Sequence, residues 1–356
     1  MKKRFITGLI FVVLVLLLGC TTKIHFTKGA DLEGNVLFNA FERADTGNIC
    51  GSIYDLDLST SQTTLLTSAS STEFSLSPDG NKLVFVDDGK CSESGENEEK
   101  VFVYYFDSGE KEVINDIFDG SGFVWSSDSQ KILFGCDLKE QGEGICVFDI
   151  NTKTVPFFGE GDPLFAEFDW VDNENFVLSF GSTIQSVNVE SGEVQDLSLQ
   201  GMMMDVNSAG DKLSFVRQAG SEEGQIKIFT YNLVSKDEKR LTSSGINIKE
   251  MNPLWSPNSK YITFETSPYV SKSFSRGNIA VVNVETGKEE FNSERFSSEV
   301  LVTSEGEGGL HPAWSLDSQY LGYISGRGKI NIISVEKRMH NVVEPNKGTI
   351  HTIAWR

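Results

Sequence analysis

Histidine is scarce: His25, His311, His340 and His351 are the only four in 356 residues. So little imidazole leaves few candidates for a general base or a metal site. No G-x-S-x-G elbow, P-loop, HExxH or EF-hand spacing occurs, which removes common signatures of acyl transfer, nucleotide binding and metal chemistry. The absence of any C-x-x-C pair argues against zinc or a redox dithiol. No catalytic residue, cofactor or metal-ligand set is therefore assigned. Cations are outnumbered, with 31 Lys and Arg against 51 Asp and Glu. Without Lys2, Lys3 and Arg4 the balance is 28 against 51, a net charge of −23. Such a charge opposes binding to nucleic acid or to an anionic membrane face. Helical periodicity is nearly absent, and beyond the N-terminus no run is apolar enough to cross a membrane.

The N-terminus is the exception. Lys2, Lys3 and Arg4 precede an unbroken apolar run, Leu9 to Leu18. That run is the length of a signal-peptide h-region and too short for a spanning helix. It ends in Leu17-Leu18-Gly19-Cys20, which resembles the bacterial lipobox. The resemblance implies cleavage after residue 19 and lipid, palmitate included, on Cys20. Residues 20–34 would then be a lipidated cysteine and tether, and 35–356 the folded domain. Thr21 and Thr22 follow Cys20 where an aspartate would resemble an inner-membrane retention signal. The expected site is the periplasmic side of an outer membrane, or the outer surface of the cell membrane where there is no outer membrane.

Cys50, Cys91, Cys136 and Cys146 remain, an even number, which in an exported protein suggests two disulfides. Between the turn signals the chain reads as short alternating apolar runs, the pattern of an all-β protein.

An internal repeat specifies the fold. FSLSPDGNKLVF from Phe74, FVWSSDSQKILF from Phe123 and FDWVDNENFVLSF from Phe168 align with each other. MDVNSAGDKLSF from Met204, PLWSPNSKYITF from Pro253 and PAWSLDSQYLGY from Pro312 continue the series. Each is an apolar strand, a polar turn and a second apolar strand; Ile353-Ala354-Trp355-Arg356 begins a seventh copy. All five tryptophans, Trp125, Trp170, Trp255, Trp314 and Trp355, share one repeat position, with Leu76 and Val206 in the other two copies. A large flat side chain there fills the gap between neighbouring sheets, so these residues are assigned to the repeat core. A third and a fourth strand follow each pair, which gives the four-stranded blade of a propeller. Segments 35–39, 52–56 and 64–67 read as strands B, C and D of a blade without strand A. The C-terminal copy supplies that strand, so the expected fold is an all-β, seven-bladed β-propeller closed by the C-terminal strand joining the N-terminal blade. An open ring would leave two sheet edges unpaired, which gives this closure a physical motive.

Turns such as Trp255-Ser256-Pro257-Asn258-Ser259 resemble the WD40-like propeller repeats of the TolB family. They are also similar to the propellers of prolyl-oligopeptidase-type enzymes. The match covers residues 35–356 and implies fold rather than function. TolB carries an α/β domain ahead of its propeller and the peptidases carry a hydrolase domain; neither is expected here.

The blade pattern sorts the remaining candidates. His311 and His351 sit just ahead of two A strands and read either as ligands or a general base at one end of the ring, or as edge histidines. Cys91 to Lys100, with Glu93, Glu96, Glu98 and Glu99, reads as a calcium loop or a solvated hairpin tip. Met202-Met203-Met204 lies on an innermost strand, where core packing is favoured over copper binding. The B–C loops 42–50, 87–100, 136–145 and 266–277 and the D–A segment 292–310 share one face, while the A–B turns opposite are tight. Cys136 and Cys146 flank one hairpin and are expected to bond; Cys50 and Cys91, in adjacent blades, are left to pair. The functional expectation is a monomeric, non-enzymatic, lipid-anchored binding or scaffold module for an envelope protein, peptide or glycan, with no nucleic acid. The alternative is a polysaccharide lyase or glycosidase with carboxylates in the central funnel.

Overall fold

A computed structural model describes residues 32–43, 49–69, 73–87, 99–114, 117–138, 141–160, 162, 166–220, 225–243, 248–268, 277–292, 310–325, 328–337 and 339–356. Among them lie seven four-stranded antiparallel sheets, the blades of a propeller. The innermost strands are β4 (Phe74–Leu76), β8 (Ile117–Trp125), β12 (Ala166–Trp170), β16 (Met202–Val206), β20 (Ile248–Trp255), β24 (Ala313–Trp314) and β28 (Thr349–Trp355). Each of the first six opens a blade, numbered 1 to 6, and the next three strands in sequence complete it. Blade 7 joins both ends of the chain. Its order is β28, β1 (Asn35–Arg43), β2 (Ile49–Asp57) and β3 (Gln62–Ser68). β28 pairs antiparallel with β1, Val36 opposite Trp355 and Phe41 opposite Thr349.

The recurring tryptophan is the last residue of its strand and is buried in every case. Three of the indoles also reach the preceding blade. Trp125 Nε1 donates to the Ser75 carbonyl at 3.0 Å, Trp170 Nε1 to the Val124 carbonyl at 3.0 Å and Trp355 Nε1 to the Ala313 carbonyl at 2.8 Å. Flat burial and a directed N–H therefore act together at one repeat position. The Nε1 atoms of Trp255 and Trp314 are buried without a partner.

The polar turn after each tryptophan position has its own chemistry. Ser126 Oγ donates to Asp128 at 2.6 Å and accepts the Lys131 amide at 2.9 Å. Ser77, Ser256 and Ser315 repeat the arrangement. A left-handed residue ends these turns: Gly80, Gly210, Ser129, Ser259 or Ser318. Where it is serine, the hydroxyl ties to the preceding blade. Ser129 Oγ accepts the Asp79 amide at 3.1 Å, Ser259 Oγ accepts from Asn207 Nδ2 at 3.1 Å, and Ser318 Oγ accepts the Asn258 amide at 2.9 Å. Asn173 takes the same role between blades 2 and 3, accepting from Ser127 Oγ and the Asp128 amide. Between blades 3 and 4 the backbones touch instead. A Cβ on Gly210, at φ +69°, would stand 2.0 Å from the Val171 carbonyl oxygen. The turn face is thus laced from blade to blade.

Cys136 and Cys146 are disulfide-bonded, with a Cα separation of 5.8 Å. Their setting differs from the expected loop. β9 (Lys131–Leu138) and β10 (Gly142–Asp149) run through both residues, and Cys136 lies opposite Gly144. Segment 136–145 is therefore not a long loop; the connection is 139–141, because the alternating run continues past the cysteines and pairs. Other connections of that face, 88–99, 219–225, 269–277 and 293–312, are longer. Cys91 and the side chain of Cys50 lie outside the described residues, as do residues 1–31, with Cys20 and His25, and most of the acidic stretch from Cys91 to Lys100.

Candidate functional site: the inner wall and the loop-bearing face

Each innermost strand has one edge without a neighbouring strand, so its amides on that side need other acceptors. Carboxylates of the preceding blade supply them for β8, β16 and β20. Asp169 Oδ2 accepts the Val206 amide at 2.6 Å, and Asp205 Oδ2 accepts the Trp255 amide at 2.6 Å. Both acids stand one residue before the repeat core position, so the same geometry recurs one blade apart. Three residues before that position, Glu73 Oε2 accepts the Gly122 amide at 2.8 Å and Glu167 accepts the Met203 amide. Gly122 and Met203 are left-handed, at φ 65° and 52°, and Asn252 and His311 repeat this at 51° and 40°. A bulge there turns an amide off the ladder.

Asp169 and Asp205 interact. Burial pushes the Asp169 carboxyl up to about 7, against the pull of its two backbone amides. Burial, and then the charge of Asp169, raise Asp205 well above the carboxylate range. Burial likewise raises Glu167. The blade 3–4 wall therefore holds carboxyls raised above the ordinary carboxylate range, a property that sequence composition alone conceals. The signal was present in the repeat alignment: an acid inside an apolar strand, in FDW and MDV.

A second polar cluster joins blades 4 and 5. Lys227 and Glu250 are fully buried, 3.8 Å apart. Lys227 Nζ donates to the Ile248 carbonyl at 2.6 Å, and Glu250 accepts the Ile228 amide at 3.2 Å and the Thr242 hydroxyl. These bonds tie the pair to the backbone of blades 4 and 5 and to the Thr242 hydroxyl, the setting of a structural clamp.

His311 and His351 lie near enough to interact. His340 is half-buried, with Nε2 3.0 Å from Asn331 Oδ1. His351 lies within β28, not ahead of it, with its ring edge-on to Phe41 at 5.2 Å. Burial, then the nearby His311, hold it below the usual imidazole range. Among the described residues, no group of three or more His, Cys, Asp and Glu is placed to hold a metal ion. Of the three methionines, Met204 packs between blades 3 and 4 and Met203 between blades 4 and 5, but Met202 is 40% exposed, so the core assignment fails for it. It lies at the loop-bearing end of β16, where the connection from the previous strand is a single residue. Phe180, 38% exposed, ends its strand on the same face. On the turn face, a groove of about 660 Å³ between blades 4 and 5 is lined by Lys212, Lys239, Lys260, Asp237 and Glu285, a mixed-charge wall.

No family model matches the chain, and no curated protein matches it. Solved structures do. TolB from Acinetobacter baumannii is similar over 92% of this chain and 68% of its own, at 17% identity and a TM-score of 0.56. An oligogalacturonate lyase in complex with manganese is similar over 85% of this chain and 92% of its own, at 14% identity and a TM-score of 0.60. The β-propeller domain of the Trilobed protease from Pyrococcus furiosus is similar over 86% and 90%, at 13% identity and a TM-score of 0.59. That domain has an open velcro topology, whereas here β28 and β1 close the ring. At these identities the likeness is one of fold: the chain folds as a seven-bladed β-propeller, similar in fold to TolB and to these enzyme propellers.

Proposed function

We propose that the protein is an exported lipoprotein, held at a membrane through Cys20, whose propeller binds an envelope protein, peptide or glycan on its loop-bearing face. One observation carries the binding reading: the two faces are built differently. The turn face is laced by serine, asparagine and backbone contacts between blades. The opposite face carries the connections 88–99, 219–225, 269–277 and 293–312 on a rigid ring, the arrangement by which scaffolds present binding residues. The inner-wall acids support the same reading, because Glu73, Glu167, Asp169 and Asp205 each hold a backbone amide of the next blade. The Cys136–Cys146 bond fits an oxidising compartment.

Two measurements test the proposal. Cys20→Ser should release the protein from carbonate-washed membranes; a variant that stays in the pellet removes the anchor. A partner captured by the full-length lipoprotein from detergent-solubilised membranes should be lost when 269–277 is replaced by a short Gly-Ser turn, and kept when Leu316 is changed to Asp. Loss in the second variant alone would move binding to the other face. A second reading, cleavage of a polysaccharide in the channel, is favoured by the protonatable pair Asp169 and Asp205. It requires Asp205→Asn to abolish turnover of an acidic oligosaccharide by a protein that still folds.

A further inference from the structure

Where a tethered propeller is held decides which face a partner meets. We infer that the turn face lies toward the lipid surface and the loop-bearing face points away from it; this rests on the reading of Cys20 as the anchor. The direction of β1 carries the inference. β1 is the second strand of blade 7, so it starts at the turn face with Asn35 and runs to the loop-bearing face. The residues just before it are fixed there. Leu32 is buried in one cluster with Leu58, Ile332 and Trp355, and the Gly34 carbonyl accepts the Leu58 amide at 3.0 Å. Leu58 belongs to the turn between β2 and β3, and the Asn35 amide donates to the Arg356 carbonyl at 3.3 Å. The chain therefore leaves the propeller on the turn face, beside blade 7.

The length of the tether then sets the orientation. From Cys20 to Leu32 the chain, even fully extended, reaches about 40 Å at most. The wall beside the exit is as tall as nine-residue β1, about 30 Å. Turning the loop-bearing face to the membrane would need a tether that climbs this wall and rounds its rim, near full extension. Leaving the turn face down needs none of that climb. A partner of the loop-bearing face is accordingly one that approaches across the compartment, free or held in the facing layer, rather than one embedded in the same membrane.

The test uses the lipidated full-length protein in phospholipid vesicles with a photo-crosslinking phenylalanine analogue at one position. Leu316 is 50% exposed in a blade 6 turn, and Phe180 is exposed on the opposite face. The analogue at 316 should yield a lipid adduct at least tenfold above that at 180. Equal yields, a higher yield at 180, or no adduct at either position with the protein in the vesicle pellet would overturn the orientation. Pelleting that survives Cys20→Ser would instead overturn the anchor, whatever the crosslinks show.

Discussion

Asp169 shows how one repeat position can take opposite roles. In blade 3 it stands beside Trp170 and reaches the Val206 amide; the same position is Val124 in blade 2 and Ala313 in blade 6. Its raised pKa fixes the sign of a pH effect. The folded state holds a proton that the unfolded state has already released between about pH 3.9 and the folded value, so stability falls as pH rises through that window, up to about 7. Asp169→Asn keeps a carbonyl acceptor for the amide and removes the titration. Thermal melts of the variant should be flatter than wild type between pH 4 and 7, and an unchanged pH slope would refute the assignment. Gly210 makes a second residue-scale case. Its left-handed φ and the Val171 oxygen at 2.0 Å from any Cβ leave no room for a side chain. Gly210→Ala should destabilise by about 1–3 kcal/mol, from strain and displacement of the facing turn, measured by urea unfolding.

Among the elements, β28 bears most on the ring. Trp355 is buried, stacked on Tyr320 at 5.7 Å and bonded to Ala313. Arg356 pairs with Asp55 at 3.1 Å and lies 3.9 Å from the Phe106 ring of blade 1. Truncating a buried Trp alone costs roughly 3–5 kcal/mol, against a typical net stability of about 5–15 kcal/mol. Deleting residues 350–356 should therefore unfold or aggregate the protein, and a melting temperature equal to that of the full chain would exclude closure by this strand. The element was legible in advance because its tryptophan kept phase with four others, and a strand without partners at one terminus matched a blade without a strand at the other. The left-handed bulges of the inner strands were not legible, since Gly122, Met203, Asn252 and His311 share no residue type. The extent of β9 and β10 was misread for a related reason: a Gly- and Glu-containing segment resembles a loop until its register is known.

The whole molecule is a stiff ring with two unlike faces, and its composition gave no hint of which connections would matter. Shortening 269–277 to a Gly-Ser turn should leave the melting temperature within a few degrees of wild type, since surface loops contribute little stability beyond their closure entropy. The same variant should lose its partner in a pull-down. A large drop in melting temperature would show that this connection braces the ring. The pairing of Val36 with Trp355 has a further, temporal consequence. A chain made from its N-terminus can form six blades as it emerges, but β1 stays without its inner neighbour until residue 355 is free. Completion of the ring is thus tied to synthesis of β28: a copy that stops before residue 349 exposes the edge of β1 and the apolar side of blade 6, and so offers itself to proteolysis.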